Sequence, residues 1–401
     1  MTGAGLLAKR PRLREDLVFS RPMWRGPATV CLVKDRRNGR EFEISAKERF
    51  LVRRLDGVRS LSEINAEYAA EFGRRLGDAH WTRLLWLLHE RDLLDREAAP
   101  VTAAEPVATA GPVAAAGVRR RGATERWARR LSWLLHPVGF ALLCVPVVVT
   151  LVAVGARIGP LWQAARPAFT DPASLLALVL LAWIGAALHE FAHALTAVAQ
   201  GATVNRVNLV TLTCRVDDYL YLPRRSQQVA IAAAGGVANG LVLVVVGATL
   251  AVIPGAFADR LFGAYVLLGS AQTLVNVIPL PPLDGYKIVS HLMGALNLAP
   301  ESRRYLYAAL RRPLRRTGPR YPRRAAIGLA LYGAWWLLAV TAVAAAVSYL
   351  GGALLRPALG TPGYVLPAAV VALTIAGWLA RSRRGRPMDR TLSPPAEQDT
   401  K

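Results

Sequence analysis

Two histidines and a glutamate stand close together in the segment LHEFAHALTAVAQG, residues 188–201. His189 and His193 are four positions apart, so on a helix both imidazoles lie on one face and can reach one metal ion. Glu190, between them, is placed to act on a water molecule at that metal. The alternative is a polar helix face packed against a neighbour. It is disfavoured because three ionisable residues are costly inside an apolar segment and are usually functional.

A catalytic zinc site commonly has three protein ligands, so the two histidines need a partner. The later segment NVIPLPPLDG, residues 276–285, offers Asp284. Its prolines break the helix and allow the chain to bend, which can bring Asp284 toward the metal. His189 and Asn276 lie equally far along their apolar segments, so we expect them at the same depth. His291 is a rival for the third ligand position.

The rest of the chain is expected to hold these groups within a membrane. Hydrophobic residues make up 53% of the 401 residues, and they form apolar blocks of about 17 to 27 residues, long enough to cross a bilayer. About six transmembrane helices are predicted, near residues 137–157, 174–199, 228–254, 261–283, 325–349 and 364–380. Inside the hydrocarbon part of a membrane, the irregular backbone expected around Asp284 is tolerated only where it contacts protein or lines a water-filled cavity.

The net charge of +23 lies mainly beside the apolar blocks. Arginines cluster at 119–130, 303–324 and 381–390, the pattern of cytoplasmic loops and of contact with anionic lipid, so no nucleic-acid partner is expected. We predict a multi-pass protein of the cell membrane with both termini in the cytoplasm. Arginine far outnumbers lysine, which favours a bacterial source. The three scattered cysteines indicate neither disulfides nor a thiolate zinc site, and no cleavable signal peptide is predicted.

Four regions are predicted along the chain: a small α+β domain at 15–97, an Ala/Pro/Gly linker at 98–130, the transmembrane domain at 131–381 and a basic, disordered tail at 382–401. In the first region, two strand-like runs at 28–35 and 40–45 flank RNG, which predicts a β-hairpin. Three helices are predicted at 45–55, from Ser60 to about Phe72, and near 78–92. A hairpin with three short helices suggests a winged-helix architecture.

The motif pair HEFAH and N-x-x-P-x-P-x-L-D-G resembles the site-2 protease family of intramembrane zinc metalloproteases over about residues 174–291. The resemblance implies Zn²⁺ held by His189, His193 and Asp284, with Glu190 as the catalytic general base on zinc-bound water. It implies for Asn276 a contact with the substrate or the oxyanion.

Family members often carry G-P-x-x-N in the intervening segment, where this chain has Gly235-Gly236-Val237-Ala238-Asn239. The missing proline favours close helix packing at the small residues over a catalytic role for Asn239.

Residues 20–95 are similar to PqqD-like peptide-recognition domains through the hairpin, the L-D-G at 55–57 and the closing RDLLD at 91–95. That resemblance implies binding of a leader peptide. A winged-helix DNA-binding domain and a purely structural domain are the alternatives.

The expected function is that of an intramembrane zinc endopeptidase that cleaves a membrane-associated protein or peptide precursor near the cytoplasmic face. Two alternatives are a catalytically silent relative that binds or helps to export a peptide, and a transporter with a cation path. The intact ligand set argues against the first, and the lack of an internal repeat against the second.

Overall fold

The computed structural model describes residues 3–95, 123–131, 133, 137–253, 255–311 and 321–383. These residues form two compact units. The first contains the described parts of Met1–Val18, Pro22–Pro100 and Ala295–Lys401, and the second those of Phe19–Arg21 and Val101–Gly294. Most of the predicted linker and nearly all of the predicted tail lie outside the described residues. The last part of the linker forms a helix, Ala123–Arg130.

The first unit begins with a small four-stranded sheet and four helices. The strands are Leu17–Phe19 (β1), Met23–Arg25 (β2), Ala28–Asp35 (β3) and Glu41–Ser45 (β4). The predicted hairpin is confirmed, since β3 and β4 pair antiparallel with Cys31 opposite Ile44. β1 and β2 also pair with β3, which makes β3 the interior strand. With three residues each, β1 and β2 are too short to show an alternating pattern in the sequence.

The helices of this region are Gly3–Leu7 (α1), Ala46–Val52 (α2), Leu61–Phe72 (α3) and Asp78–Glu90 (α4). Ser45 and Ser60 each form a capping box with the glutamate three residues later, which fixes where α2 and α3 begin. α2 ends earlier than the predicted residue 55. Trp81, Leu88 and Ile64 are fully buried in the core of this region. Whether this arrangement is a winged helix stays a prediction.

The L-D-G segment at 55–57 forms a tight turn after α2. Asp56 Oδ1 accepts hydrogen bonds from the backbone N–H groups of Val58 and Arg59, each at 2.9 Å, and Gly57 adopts a φ of +81°. Partial burial alone raises the pKa of Asp56, but these hydrogen bonds and the Arg59 guanidinium lower it overall. The motif therefore has a structural role in this turn.

The first unit also includes α12 (Leu298–Arg311), α13 (Arg323–Leu359) and α14 (Val365–Arg383). Just before α12, the Leu296 N–H donates to the Trp24 carbonyl at 2.8 Å beside β2. α13 continues to Leu359, ten residues beyond the predicted end of that apolar segment at residue 349. A Cβ at Gly352 would overlap the ring of Tyr364, so glycine permits the close contact that supports the longer helix.

The second unit is a bundle of helices with one β-hairpin. Its helices are α5 (Ala123–Arg130), α6 (Pro137–Ala156), α7 (Ile158–Ala165), α8 (Pro172–Ala199), α9 (Arg225–Val252), α10 (Ala256–Val277) and α11 (Asp284–Met293). The hairpin lies between α8 and α9 and consists of Thr203–Asn208 (β5) and Thr213–Asp217 (β6). α9 packs against α6, α8, α10 and α11 and so forms the centre of the unit.

Among the described residues, four helices are long and apolar enough to cross a membrane: Val138–Ala156, Pro172–Ala199, Arg225–Val252 and Arg323–Leu359. Their outward faces are apolar, as at Val149 and Val179, which are more than 60% exposed. Exposed apolar faces of this extent are typical of contact with lipid. The chain is therefore consistent with a membrane protein. The prediction of about six spans stays a prediction.

Candidate metal centre

The two histidines of HEFAH project from the second half of α8. Asp171 caps the helix by accepting the Ser174 N–H at 2.9 Å, and Pro172 occupies its first turn. The predicted spacing places the imidazoles together, with 4.8 Å between ring centroids and 3.2 Å between the two Nε2 atoms. His193 is buried, and the side chain of His189 is 13% exposed.

Asp284 reaches the histidines from a different helix. α10 ends at Val277, the proline-containing segment follows, and Asp284 is the first residue of α11. Its Oδ2 lies 3.1 Å from His189 Nε2 and 3.3 Å from His193 Nε2. A Cβ at Gly285 would overlap the backbone carbonyl of Val277, so only glycine lets the chain fold back this tightly. The three side chains form a group that could hold a metal ion.

The donor atoms fit a small metal ion. Donors at about 2.0–2.2 Å from a tetrahedral zinc lie roughly 3.4 Å apart, close to the three separations of 3.1, 3.2 and 3.3 Å. His193 Nδ1 lies 2.7 Å from the Ile231 carbonyl oxygen. Because a carbonyl only accepts, Nδ1 carries the proton and Nε2 is free to bind a metal. Two imidazoles and one carboxylate suit zinc, although other divalent ions accept the same set.

Gly235 of α9 lies directly against the two histidines of this cluster. A Cβ built on Gly235 would lie 2.5 Å from Nε2 of both histidines, well inside van der Waals contact. Gly240 lies on α9 too, and there a Cβ would overlap Val147 of α6. The small residues of α9 therefore permit close approach, as the packing interpretation of this segment expects. Asn239 is buried, and its Nδ2 has no hydrogen-bond partner among the described residues.

Glu190 faces a cavity of about 210 Å³ beside His193. Helices α8, α9 and α11 and the hairpin region all contribute to the cavity walls. The lining residues are Glu190, His193, Cys214, Val216, Tyr219, Ile231, Ala232 and Lys287. The cavity thus combines one carboxylate and one ammonium group with mainly apolar walls, next to a possible metal ion. Such a space can take water and part of an organic substrate.

The other two sequence candidates lie outside the trio. His291 is buried on α11, where its ring packs edge-on against Tyr219 at 5.1 Å between centroids, so it does not replace Asp284 in the cluster. Asn276 is half-buried in the last turn of α10. Its side chain forms no hydrogen bond within the described part of the chain, and its role stays a prediction.

Sequence reasoning missed the residues that surround the ligands. Lys287 donates to Asp284 Oδ1 at 2.8 Å, and the Ile231 carbonyl accepts from His193. Lys287 could have been found, because an acidic residue followed three positions later by lysine on a helix is a favourable pair. The contacts of Gly235 and of the Ile231 carbonyl with the histidines depend on the packing of α9 on α8. Such packing between distant segments has no local pattern in the sequence.

We expect the purified protein to contain about one metal ion per chain, and His189→Ala or Asp284→Ala to lower that occupancy strongly, because each removes one of three ligands. His291→Ala and the exposed-site control His89→Ala should retain the metal. Metal content measured by elemental analysis after gel filtration checks this. Loss of metal from His291→Ala, with retention by Asp284→Ala, would show that the third ligand is misassigned.

No protein-family model, curated protein or solved structure was found to match this chain, so the case for its function rests on the residues and geometry of this centre.

Proposed function

We propose that this chain is an intramembrane zinc metalloendopeptidase of the site-2 protease type, and that it hydrolyses a peptide bond in a membrane-associated protein or peptide precursor. One observation carries the proposal. His189 and His193 on α8 converge with Asp284 at the start of α11, within 3.3 Å of one another, and Glu190 faces a cavity beside them. A binding or structural role would not require a carboxylate beside the metal ligands.

The residues of the centre have separate roles in this proposal. Zinc bound by His189, His193 and Asp284 would polarise the scissile carbonyl and make water a better nucleophile. A Glu190 carboxylate oxygen takes the proton of the attacking water and later delivers it to the nitrogen of the leaving amine. Asn276 is proposed to donate from its Nδ2 to the oxygen on which negative charge develops. The Ile231 carbonyl keeps the His193 ring oriented through Nδ1–H.

The cavity supports an extended peptide as substrate. A helix hides its carbonyl groups within its own hydrogen bonds, so the scissile segment must unwind before attack. Cys214 and Val216, two positions apart on β6, both line the cavity. Alternate side chains of a strand share one face, so β6 presents a continuous wall to a peptide lying beside it. A peptide strand alongside β6 would meet mainly apolar side chains next to Glu190.

The proposed setting is the cell membrane, with the lipid bilayer around the helices. α10 and the shorter apolar helical stretch at 361–374 would complete six spans beyond the four long apolar helices. An even number of spans places both termini on one side, and the arginine clusters put that side in the cytoplasm. The substrate would then be cleaved near the cytoplasmic face.

The N-terminal region is proposed to bind a leader peptide, as its resemblance to PqqD-like domains implies. An extended peptide adds to a sheet at an exposed edge. Both strands of the β3–β4 hairpin are candidates for the receiving edge, but β3 has neighbours on both sides. Among the described strands, β4 pairs with β3 alone, so residues 41–45 are the better candidate.

The experiment is cleavage of a proteome-derived peptide pool by the full-length protein in detergent, read by mass spectrometry. We expect internal cleavage that stops on treatment with a zinc chelator and returns on addition of zinc. His189→Ala should be inactive under both conditions, whereas His89→Ala should behave as the wild type. Peptide binding without cleavage by the zinc-loaded wild type would favour the catalytically silent alternative.

A further inference from the structure

Lys287 and Asp284 form an ion pair one turn apart on α11. Lys287 Nζ donates to Asp284 Oδ1 at 2.8 Å. The other oxygen, Oδ2, faces Nε2 of His189 at 3.1 Å and Nε2 of His193 at 3.3 Å. The two oxygens of one carboxylate therefore have different partners, the ammonium on one side and the metal-binding nitrogens on the other.

The surroundings of Asp284 favour this assignment of one partner to each carboxylate oxygen. The Asp284 side chain is only 7% exposed, so water competes little for its oxygens. In the described part of the chain, Lys287 is the one side chain that donates to Oδ1. Asp284 is also in the first turn of α11, where the backbone N–H groups favour a negative charge. Lys287 itself is 46% exposed and lines the same cavity as Glu190.

We propose that Lys287 is a positioning residue for the metal centre: by holding Oδ1, it presents Oδ2 alone to the metal ion. This inference rests on the metal centre of the proposed function. A carboxylate without such a partner can rotate and bind a metal through both oxygens, which fills one more coordination position. A catalytic site needs an open position for water or substrate, so a single Asp284 oxygen keeps the centre usable. Groups that orient metal ligands in this way typically contribute a 10- to 100-fold change in metal affinity.

The test is Co²⁺ binding by the full-length protein in detergent after removal of bound metal. Lys287→Met keeps the length of the side chain and removes the charge, whereas Lys287→Arg keeps the charge. Arg304→Met is the matched control, because Arg304 forms an equivalent (i, i+3) ion pair with Glu301 on α12. If Lys287→Met does not fold, as judged by thermal unfolding, Lys287→Gln takes its place in the comparison.

We expect Lys287→Met to bind Co²⁺ about 10- to 100-fold more weakly than the wild type. Its visible absorption should also weaken, because Co²⁺ absorbs less strongly as its coordination number rises above four. Lys287→Arg should restore most of the affinity and the spectrum, and Arg304→Met should match the wild type.

Equal affinity and equal spectra for Lys287→Met and the wild type would overturn the inference and leave the metal centre intact. A raised KM for a cleaved peptide with unchanged Co²⁺ binding would also overturn it, because Lys287 would then act on the substrate. A wild-type protein that binds no Co²⁺ would overturn both the inference and the proposed metal centre. The two failures are therefore distinguishable.

Discussion

Glu190→Gln is expected to abolish peptide cleavage while leaving the metal ion in place. Glu190 lines the cavity beside His193 but is not one of the three clustered ligands. A glutamine amide has nearly the same shape, yet it cannot take a proton from water. General bases of this kind contribute about 10²- to 10⁴-fold to the rate, so the loss should bring cleavage close to background.

The measurement pairs the cleavage rate with the metal content of the same sample. Glu71→Gln is the matched control, because Glu71 is exposed on α3 and the substitution removes the same charge. We expect Glu71→Gln to have wild-type values for both quantities. Wild-type cleavage by Glu190→Gln would contradict the assigned role of Glu190, and loss of its metal would show that Glu190 also coordinates.

Gly235→Ala is expected to weaken metal binding strongly although it changes no ligand. The new methyl carbon would lie 2.5 Å from Nε2 of His189 and of His193, where about 3.5–4.0 Å is needed. Both crowded atoms are the nitrogens that would bind the metal. The steric overlap can therefore be removed only if the ligands or α9 move. Overpacking of this kind costs about 1–3 kcal/mol, which corresponds to roughly 10- to 100-fold weaker metal binding.

Gly236→Ala is the control for this substitution. Gly236 is the next residue on α9, and a Cβ there has no atom within 4 Å. Alanine at Gly236 should therefore preserve metal affinity and raise helix stability by about 1 kcal/mol. Titration of the stripped variants with zinc, alongside thermal unfolding, separates loss of the site from loss of the fold. Equal zinc affinity for Gly235→Ala and Gly236→Ala would mean that Gly235 does not contact the ligands.

Two features of the ligand cluster could be predicted from the sequence because each has a local signal. Residues four apart on a helix share a face whatever surrounds them, which places His189 beside His193. Prolines in the segment before Asp284 break a helix by their own chemistry, and α10 does end at Val277. That Asp284, and not His291, completes the trio depended on a family resemblance and on chemical preference. The geometry then brought Asp284 within 3.3 Å of both imidazoles.

The parts that could not be predicted depend on contacts between distant segments. The β5–β6 hairpin has polar, half-exposed strands. Their alternation of apolar and polar residues is too weak to predict strands from the sequence. The length of α13 depends on Gly352 accepting the ring of Tyr364, and glycine alone would predict an interruption. The interior position of β3 depends on two strands of three residues each. In each case tertiary packing overrides the local preference.

The central claim is that this chain hydrolyses peptides by means of a zinc ion bound at His189, His193 and Asp284. It is tested most directly by running the peptide-cleavage assay as a zinc titration of the stripped protein, with bound zinc measured in the same samples. The proposal predicts a cleavage rate that rises in proportion to bound zinc and levels off near one zinc per chain. Cleavage that is undiminished in the stripped protein, or a fully zinc-loaded protein that cleaves nothing in the pool, would contradict it.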